Sequence, residues 1–189
     1  MAERSPTLTT ALLLVAVYLV EEVLRLLGSG PGVFALSTPV GQRPWTVVTS
    51  VYAHAGPGHL VANLVGLLVV GFVLERRTSP AKFHAFFLFS GAVAGLAQVW
   101  MSDLFGPSTA VLGASGGIFA LVGYVLAGNR VSDTVLSTLP LSPRAQLVVF
   151  AVFAAAVTAW TGGPGVALVA HFTGLLVGLL AGRAHLLRA

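Results

Sequence analysis

The stretch VLGASGGIFALVGY, residues 111–124, clusters small residues around a single hydroxyl, Ser115. Gly113, Ala114, Gly116 and Gly117 flank that serine at the start of an apolar run. Two interpretations compete for such a cluster. Small residues let membrane helices pack closely, and they also leave room for a substrate backbone to approach a nucleophile.

The composition is that of a membrane protein. Of the 189 residues, 56% are hydrophobic and 8% are charged, and the mean hydropathy is +0.92. A soluble domain carries roughly 25% charged residues, so we expect an integral membrane protein. Cysteine is absent, which excludes disulfides, zinc–thiolate sites and a cysteine nucleophile. The ten Lys and Arg residues are scattered, so the basic pI does not indicate nucleic-acid binding.

Six apolar stretches are candidates for membrane spans, which ordinarily need about 20 residues each. A long connection rich in Gly and Pro, residues 28–56, follows the first of them. The predicted spans cover about residues 8–27, 57–74, 81–100, 115–127, 143–160 and 166–182. The sequence therefore predicts an all-α membrane bundle of six helices in a single domain, residues 1–189.

The distribution of positive charge predicts the orientation of this bundle. Six spans put both termini on the same side of the membrane, and Arg25 and Arg43 fall on the opposite side. The side of the termini receives the other eight cations, Arg4, Arg76, Arg77, Lys82, Arg130, Arg144, Arg183 and Arg188. Cytoplasmic loops carry an excess of Lys and Arg. We therefore predict a multi-pass protein of the cell membrane with both termini in the cytoplasm.

The fourth span is too short to cross a bilayer. Its 13 residues, 115–127, make a helix of about 20 Å, against a hydrocarbon core of about 30 Å. Its first residue is therefore expected inside the membrane, at the end of a loop that dips into the protein. Irregular backbone at that depth is tolerated only where it is buried in protein or lines a water-filled cavity, which indicates a site.

Polar residues within the predicted spans converge at similar depth. His59 and Asn63 are four residues apart and share one face of the second span, while His171 lies near the outer end of the sixth. Ser115 begins the fourth. Polar groups in lipid are costly and usually functional.

These four residues favour nucleophilic catalysis. A serine hydroxyl is a weak nucleophile until a base takes its proton, and histidine is the usual base. Ser115 and His171 form a candidate pair, whereas no acidic residue is predicted close enough to complete a triad. His59, Asn63 and the backbone N–H of Ser115 are suited to stabilise a developing oxyanion. Taken singly, the same residues also fit an interhelical polar contact, or a proton or metal site.

The motifs of this chain together resemble the rhomboid family of intramembrane serine proteases. The resemblance covers about residues 45–182 and rests on WTVVTSVYAHAGPGHLVANL, a following Glu-Arg, GASGGIFALVGY and AHFTGLLVGLLAG, in that order. It implies a six-helix core that cleaves transmembrane segments of other proteins within the lipid bilayer. It further implies Ser115 as nucleophile, His171 as base, and His59 and Asn63 as oxyanion ligands, with no metal or organic cofactor.

Several further residues are expected to support this site. Gly174, Gly178 and Gly182 form a stripe of small residues on the sixth span, which lets it approach the fourth closely. Gly113 and Gly116 are expected to leave space for substrate backbone. His54 is expected to shape the long loop by hydrogen bonding.

The chain departs from the family pattern at two places. Thr46 follows Trp45 where family members commonly carry Arg, and Arg43 lies two residues earlier; the anchoring of that loop is therefore open. Phe119 stands where many bacterial members carry Tyr, and it is expected to keep the ring contact with His171.

Three alternatives to a serine protease are less consistent with the sequence. A rhomboid-like protein that binds or chaperones client helices without cutting them typically lacks the Ser or the His, and both are present. A transporter or channel predicts paired broken helices in two related halves, and only one short helix is predicted. A metalloprotease is disfavoured because HExxH is absent.

Overall fold

The computed structural model describes residues 5–129, 132–134, 138, 141–163 and 165–188. These residues form a helical bundle, and Leu36 and Val111 pair in one isolated antiparallel bridge. The α-helices are α1 (Pro6–Leu26), α2 (Thr46–Thr49), α3 (Pro57–Glu75), α4 (Pro80–Phe105), α5 (Ser115–Ala127), α6 (Pro143–Trp160) and α7 (Leu168–Arg183). Of the predicted cations, Arg4 and Arg130 lie outside the described residues.

Local sequence determines where three of the long helices begin. Ser5, Ser79 and Ser142 each precede a proline, and each side chain accepts a hydrogen bond from a backbone N–H in the first turn of its helix. Proline is favoured at the first helical position because it has no N–H to leave unpaired. Serine satisfies one of the remaining unpaired N–H groups. The dipeptide Ser-Pro therefore starts α1, α4 and α6.

Within the described residues, four helices are long and apolar enough to cross a membrane: α1, α3, α4 and α6. Helices α5 and α7 are also apolar but shorter, with 13 and 16 residues. The predicted helix bounds agree with the structure to within two residues, except that α4 continues to Phe105, five residues past its predicted end. Many large apolar side chains point outward, Leu12, Leu19 and Val69 among them, as lipid contact requires.

Helix α5 lies at the centre of the bundle. It packs against α3, α4 and α7, and α1 packs on the far side of α3. Most of its residues are buried, including Gly116, Ala120 and Gly123. Ser115, which begins this helix, is half-buried within the bundle.

The long connection between α1 and α3 is anchored to the bundle. Leu36 is fully buried and exchanges two backbone hydrogen bonds of 2.8 Å with Val111, just before α5. Arg43 donates to the Gly32 carbonyl and to Ser37 Oγ, and Trp45 Nε1 donates to the Val33 carbonyl. Arg43 thus anchors the loop, although the family's usual arginine position is occupied by Thr46.

Candidate active site

Ser115 is the first residue of α5 and follows a loop with an unusual backbone conformation at Gly113. Gly113 has φ +132°, a conformation that residues with a side chain rarely adopt. Its N–H donates to the Ser50 carbonyl at 2.9 Å, which fixes the loop against the segment before α3. The N-cap residue of α5, Ala114, has no side chain that can cap the helix, so the first backbone N–H groups of α5 have no partner within it.

His171 meets this serine from α7. Its Nε2 lies 2.9 Å from Ser115 Oγ, although the two residues are 56 positions apart. Phe119, one turn into α5, stacks on the imidazole with ring centroids 4.3 Å apart and planes inclined by 25°. The ring of His171 is thus held between a hydroxyl and an aromatic face.

The first turn of α7 is fixed by a residue that the sequence analysis missed. Gln98 of α4 accepts hydrogen bonds from the N–H groups of Val169 and Ala170, at 3.0 and 3.2 Å. No side chain of the local sequence caps this helix, so Gln98 supplies the cap from another helix. The sequence offered one indication of this role, which is that Gln98 is a polar residue within an apolar span.

Small residues bring α5 and α7 into backbone contact. A Cβ added at Gly174 would collide with the Gly116 carbonyl, and one at Gly178 with the Ala120 carbonyl. At Gly182 the added atom would lie 2.7 Å from the Tyr124 carbonyl oxygen. The two helices are thus in backbone contact, close enough for the side chains of Ser115 and His171 to meet.

Gly113 and Gly116 have neighbours within the protein itself. A Cβ at Gly113 would lie 2.7 Å from Cε1 of His59, and one at Gly116 would lie 2.7 Å from Cβ of Ala94. Gly116 therefore faces α4 and α7, where it serves helix packing. The position that a Cβ would take at each glycine is thus occupied by neighbouring protein atoms. That the two glycines admit a substrate backbone stays a prediction.

His59 and Asn63 lie on the same face of α3 and line the same cavity as Ser115 and His171. The cavity has a volume of about 610 Å³. Its wall is mostly apolar and includes Ala62, Gly66, Ile118, Phe119 and Val122. Asn63 Nδ2 donates one of its two hydrogens to the His59 carbonyl at 3.0 Å.

His54 supports His59 from the loop between α2 and α3. Its side chain is fully buried, its Nδ1 lies 3.1 Å from the Tyr52 carbonyl, and its ring packs edge-on against that of His59 at 5.0 Å. Burial, and secondarily the neighbouring His59, lower the pKa of His54 from 6.5 to about 4. The imidazole of His54 is therefore neutral at physiological pH.

No acidic residue among those described bonds to His171. Its Nδ1 is buried and makes no hydrogen bond to the part of the chain that the structure describes. In that same part, no group of three or more His, Asp or Glu side chains is arranged to hold a metal ion. The arrangement joins a hydroxyl, an imidazole within proton-transfer distance and nearby donors, which is the geometry for attack on a carbonyl.

Comparison with known proteins identifies the family. The model of the Rhomboid domain matches residues 41–188, which is most of the chain and includes all four of these side chains. The chain belongs to the rhomboid family. With its four span-length apolar helices, this rhomboid is a multi-pass membrane protein.

Curated relatives of this rhomboid come from plants, animals and bacteria. RHOMBOID-like protein 4 of Arabidopsis thaliana is 30% identical over 78% of this chain and 36% of its own length. Rhomboid protease GlpG of Serratia proteamaculans is 29% identical over 92% of the chain and 60% of its own length. GlpG of Pectobacterium atrosepticum is 32% identical over 72% of the chain and 46% of its own length. The chain thus spans between about a third and three fifths of the length of these relatives.

Proposed function

We propose that this rhomboid is an intramembrane serine endopeptidase that cleaves transmembrane segments of other membrane proteins. The observation that carries the proposal is the 2.9 Å separation of Ser115 Oγ and His171 Nε2 inside a cavity lined by His59 and Asn63. Two of the bacterial relatives are named proteases. Both residues lie in apolar helices, where polar side chains are costly and usually functional.

The reaction would proceed by acyl transfer. His171 Nε2 takes the proton of the Ser115 hydroxyl as Oγ forms a bond to the substrate carbonyl carbon. The negative charge that develops on the carbonyl oxygen is stabilised by the Ser115 N–H, the His59 ring and the second N–H of Asn63. Collapse of this intermediate breaks the C–N bond, and the proton on His171 passes to the leaving nitrogen.

Hydrolysis of the acyl-enzyme follows the same steps, with water as the nucleophile. His171 takes a proton from the attacking water, the second tetrahedral intermediate forms, and Ser115 leaves as its hydroxyl after recovering that proton. In this proposal His171 works without an acidic partner at Nδ1. Its orientation comes instead from the Phe119 ring and from the Gln98 cap of α7.

We also propose the six-span topology with cytoplasmic termini in the cell membrane, for a single domain over residues 1–189. Contacts at one end of the bundle support it. Ser5 donates to Glu75, Lys82 donates to the Arg188 carbonyl, and Arg183 pairs with Asp133 at 3.8 Å. These contacts lie at the ends of α1, α3, α4 and α7 that are opposite to the site. Five of the eight described cations lie at these ends, namely Arg76, Arg77, Lys82, Arg183 and Arg188, as the positive-inside rule requires of the cytoplasmic end.

A fluorophosphonate probe tests the proposed function because it reacts covalently only with an activated serine. The wild-type protein is expected to label, and the variants Ser115→Ala and His171→Ala are expected not to. Retained labelling in His171→Ala would contradict the assignment of the base. A folded wild-type protein that does not label would favour a rhomboid that binds client helices without cutting them.

A further inference from the structure

Glu21 is a buried acid that the proposed mechanism does not use. It lies in α1, an apolar helix long enough to cross a membrane, and only 7% of its surface is exposed. A carboxyl group at such a position is costly unless it has a specific partner. Its neighbour Glu22 has an ordinary surface partner, Arg25, at 2.9 Å.

The partner of Glu21 is the backbone of the loop before α3. Oε2 of Glu21 accepts a hydrogen bond from the N–H of His54 at 2.8 Å, across 33 residues of sequence. Residues 53 and 54 have no regular secondary structure, so this N–H has no helix or strand to satisfy it. The bond ties the loop to α1 at His54, whose ring packs against that of His59.

His54 passes this constraint on to His59. The His54 ring is fully buried and meets the His59 ring edge-on, with centroids 5.0 Å apart and planes at 65°. On its other side the His59 ring lies against Gly113, where a Cβ would come within 2.7 Å of it. The His59 ring therefore contacts both His54 and the loop that leads to Ser115. The orientation of the His59 ring thus depends on the position of the His54 side chain.

We propose that Glu21 is a positioning residue for the oxyanion site: it fixes His54, and through His54 it aims the His59 ring into the cavity. The inference rests on the proposed function, because a fixed His59 ring matters for rate only if His59 stabilises an oxyanion. A carbonyl oxygen at position 21 is what the bond requires, so a glutamine there serves as well as a glutamate.

Rates of fluorophosphonate labelling of the full-length protein in detergent test this role. Glu21→Leu, which removes the acceptor, is expected to slow labelling at least tenfold, and Glu21→Gln is expected to stay within twofold of wild type. Glu22→Leu is the matched control, one residue away on the same helix, and is expected to stay within twofold. Glu21→Asp, which withdraws the oxygen by one methylene, is expected to fall in between and replaces the Leu variant if that variant does not fold.

A double-mutant cycle separates positioning from a general effect on folding. In a His59→Ala background, Glu21→Leu or Glu21→Asp is expected to slow labelling by less than a further twofold, because the ring that Glu21 aims is already gone. An equal loss in both backgrounds, or no loss in either, would overturn the inference alone. A wild-type protein that does not label would overturn the proposed function and this inference with it.

Discussion

The ring of Phe119 lies flat against that of His171, with centroids 4.3 Å apart. Phe119 and Ser115 are one turn apart on α5. A single helix therefore carries both the hydroxyl that lies within hydrogen-bonding distance of His171 and the ring that packs against its imidazole. The orientation of the His171 ring is thus set by packing.

Removal of this stacked ring is expected to slow the reaction without unfolding the protein. Aromatic contacts of this kind contribute about 0.5–1.5 kcal/mol, so Phe119→Ala should reduce the rate of fluorophosphonate labelling about 2- to 13-fold. Phe119→Tyr keeps the ring and should stay near the wild-type rate. Phe89→Ala, which truncates an outward-facing ring on α4, is the control; a wild-type rate for Phe119→Ala would contradict a role in orienting His171.

Loss of either proposed oxyanion donor is expected to cost more than loss of the stacked ring. Removing one such donor typically lowers the rate by about 10²–10³, and we expect this range for His59→Ala and for Asn63→Ala. The measurement is cleavage of a reconstituted transmembrane substrate. Asn129→Ala removes an amide that bonds to the last turn of α5, and it should leave the rate per folded molecule unchanged. A similar loss in all three variants would indicate general damage instead of oxyanion binding.

The contact between α5 and α7 predicts an unusual sensitivity to a single methyl group. In Gly178→Ala the new Cβ would collide with the Ala120 carbonyl, and overpacking of this kind costs about 1–3 kcal/mol. We expect a lower unfolding temperature in detergent together with reduced labelling, because α7 must move away from α5 and carry His171 with it. Gly58→Ala, where nothing lies within 4 Å of the added atom, should be neutral or slightly stabilising. Equal stability of the two variants would contradict the packing described here.

The buried neutral His54 predicts how stability depends on pH. Its pKa is lowered from 6.5 to about 4 in the folded protein, so between these values the unfolded chain binds a proton that the folded protein does not. Stability is therefore expected to be fully present above about pH 6.5 and to fall as the pH drops toward 4. Unfolding temperatures measured at pH 7 and pH 5 should differ less for His54→Gln than for wild type. An equal difference for both proteins would contradict the buried neutral imidazole.

Much of the architecture could be predicted because membrane helices are encoded locally. Apolar length and flanking breakers predicted the start and end of α5 at Ser115 and Ala127, and those of α6 at Pro143 and Trp160. The meeting of Ser115 and His171 was also expected, since helix depth and the spacing of glycines on α7 leave few alternatives.

The supports of the site could not be predicted, because they depend on which helix lies beside which. Gln98 is 71 residues from Val169, and Glu21 is 33 residues from His54. In the sequence, each is recognisable only as a polar residue within an apolar span. That observation does not predict which backbone groups the side chain bonds to. Arg43 is similar, since its contacts with Gly32 and Ser37 arise from the path of an irregular loop.

Gly174 and Gly178 leave α5 and α7 in direct backbone contact, and such close packing resists a shift of one helix against the other. The groups of the proposed reaction are therefore divided between this helix pair and α3. Ser115 and His171 belong to the pair, so their relative position depends on the α5–α7 contact and on the Gln98 cap from α4. His59 and Asn63 belong to α3, which packs against α5 and forms another wall of the cavity. If the proposed reaction holds, a substrate that widens the cavity would move the proposed oxyanion donors of α3 before it separates Ser115 from His171.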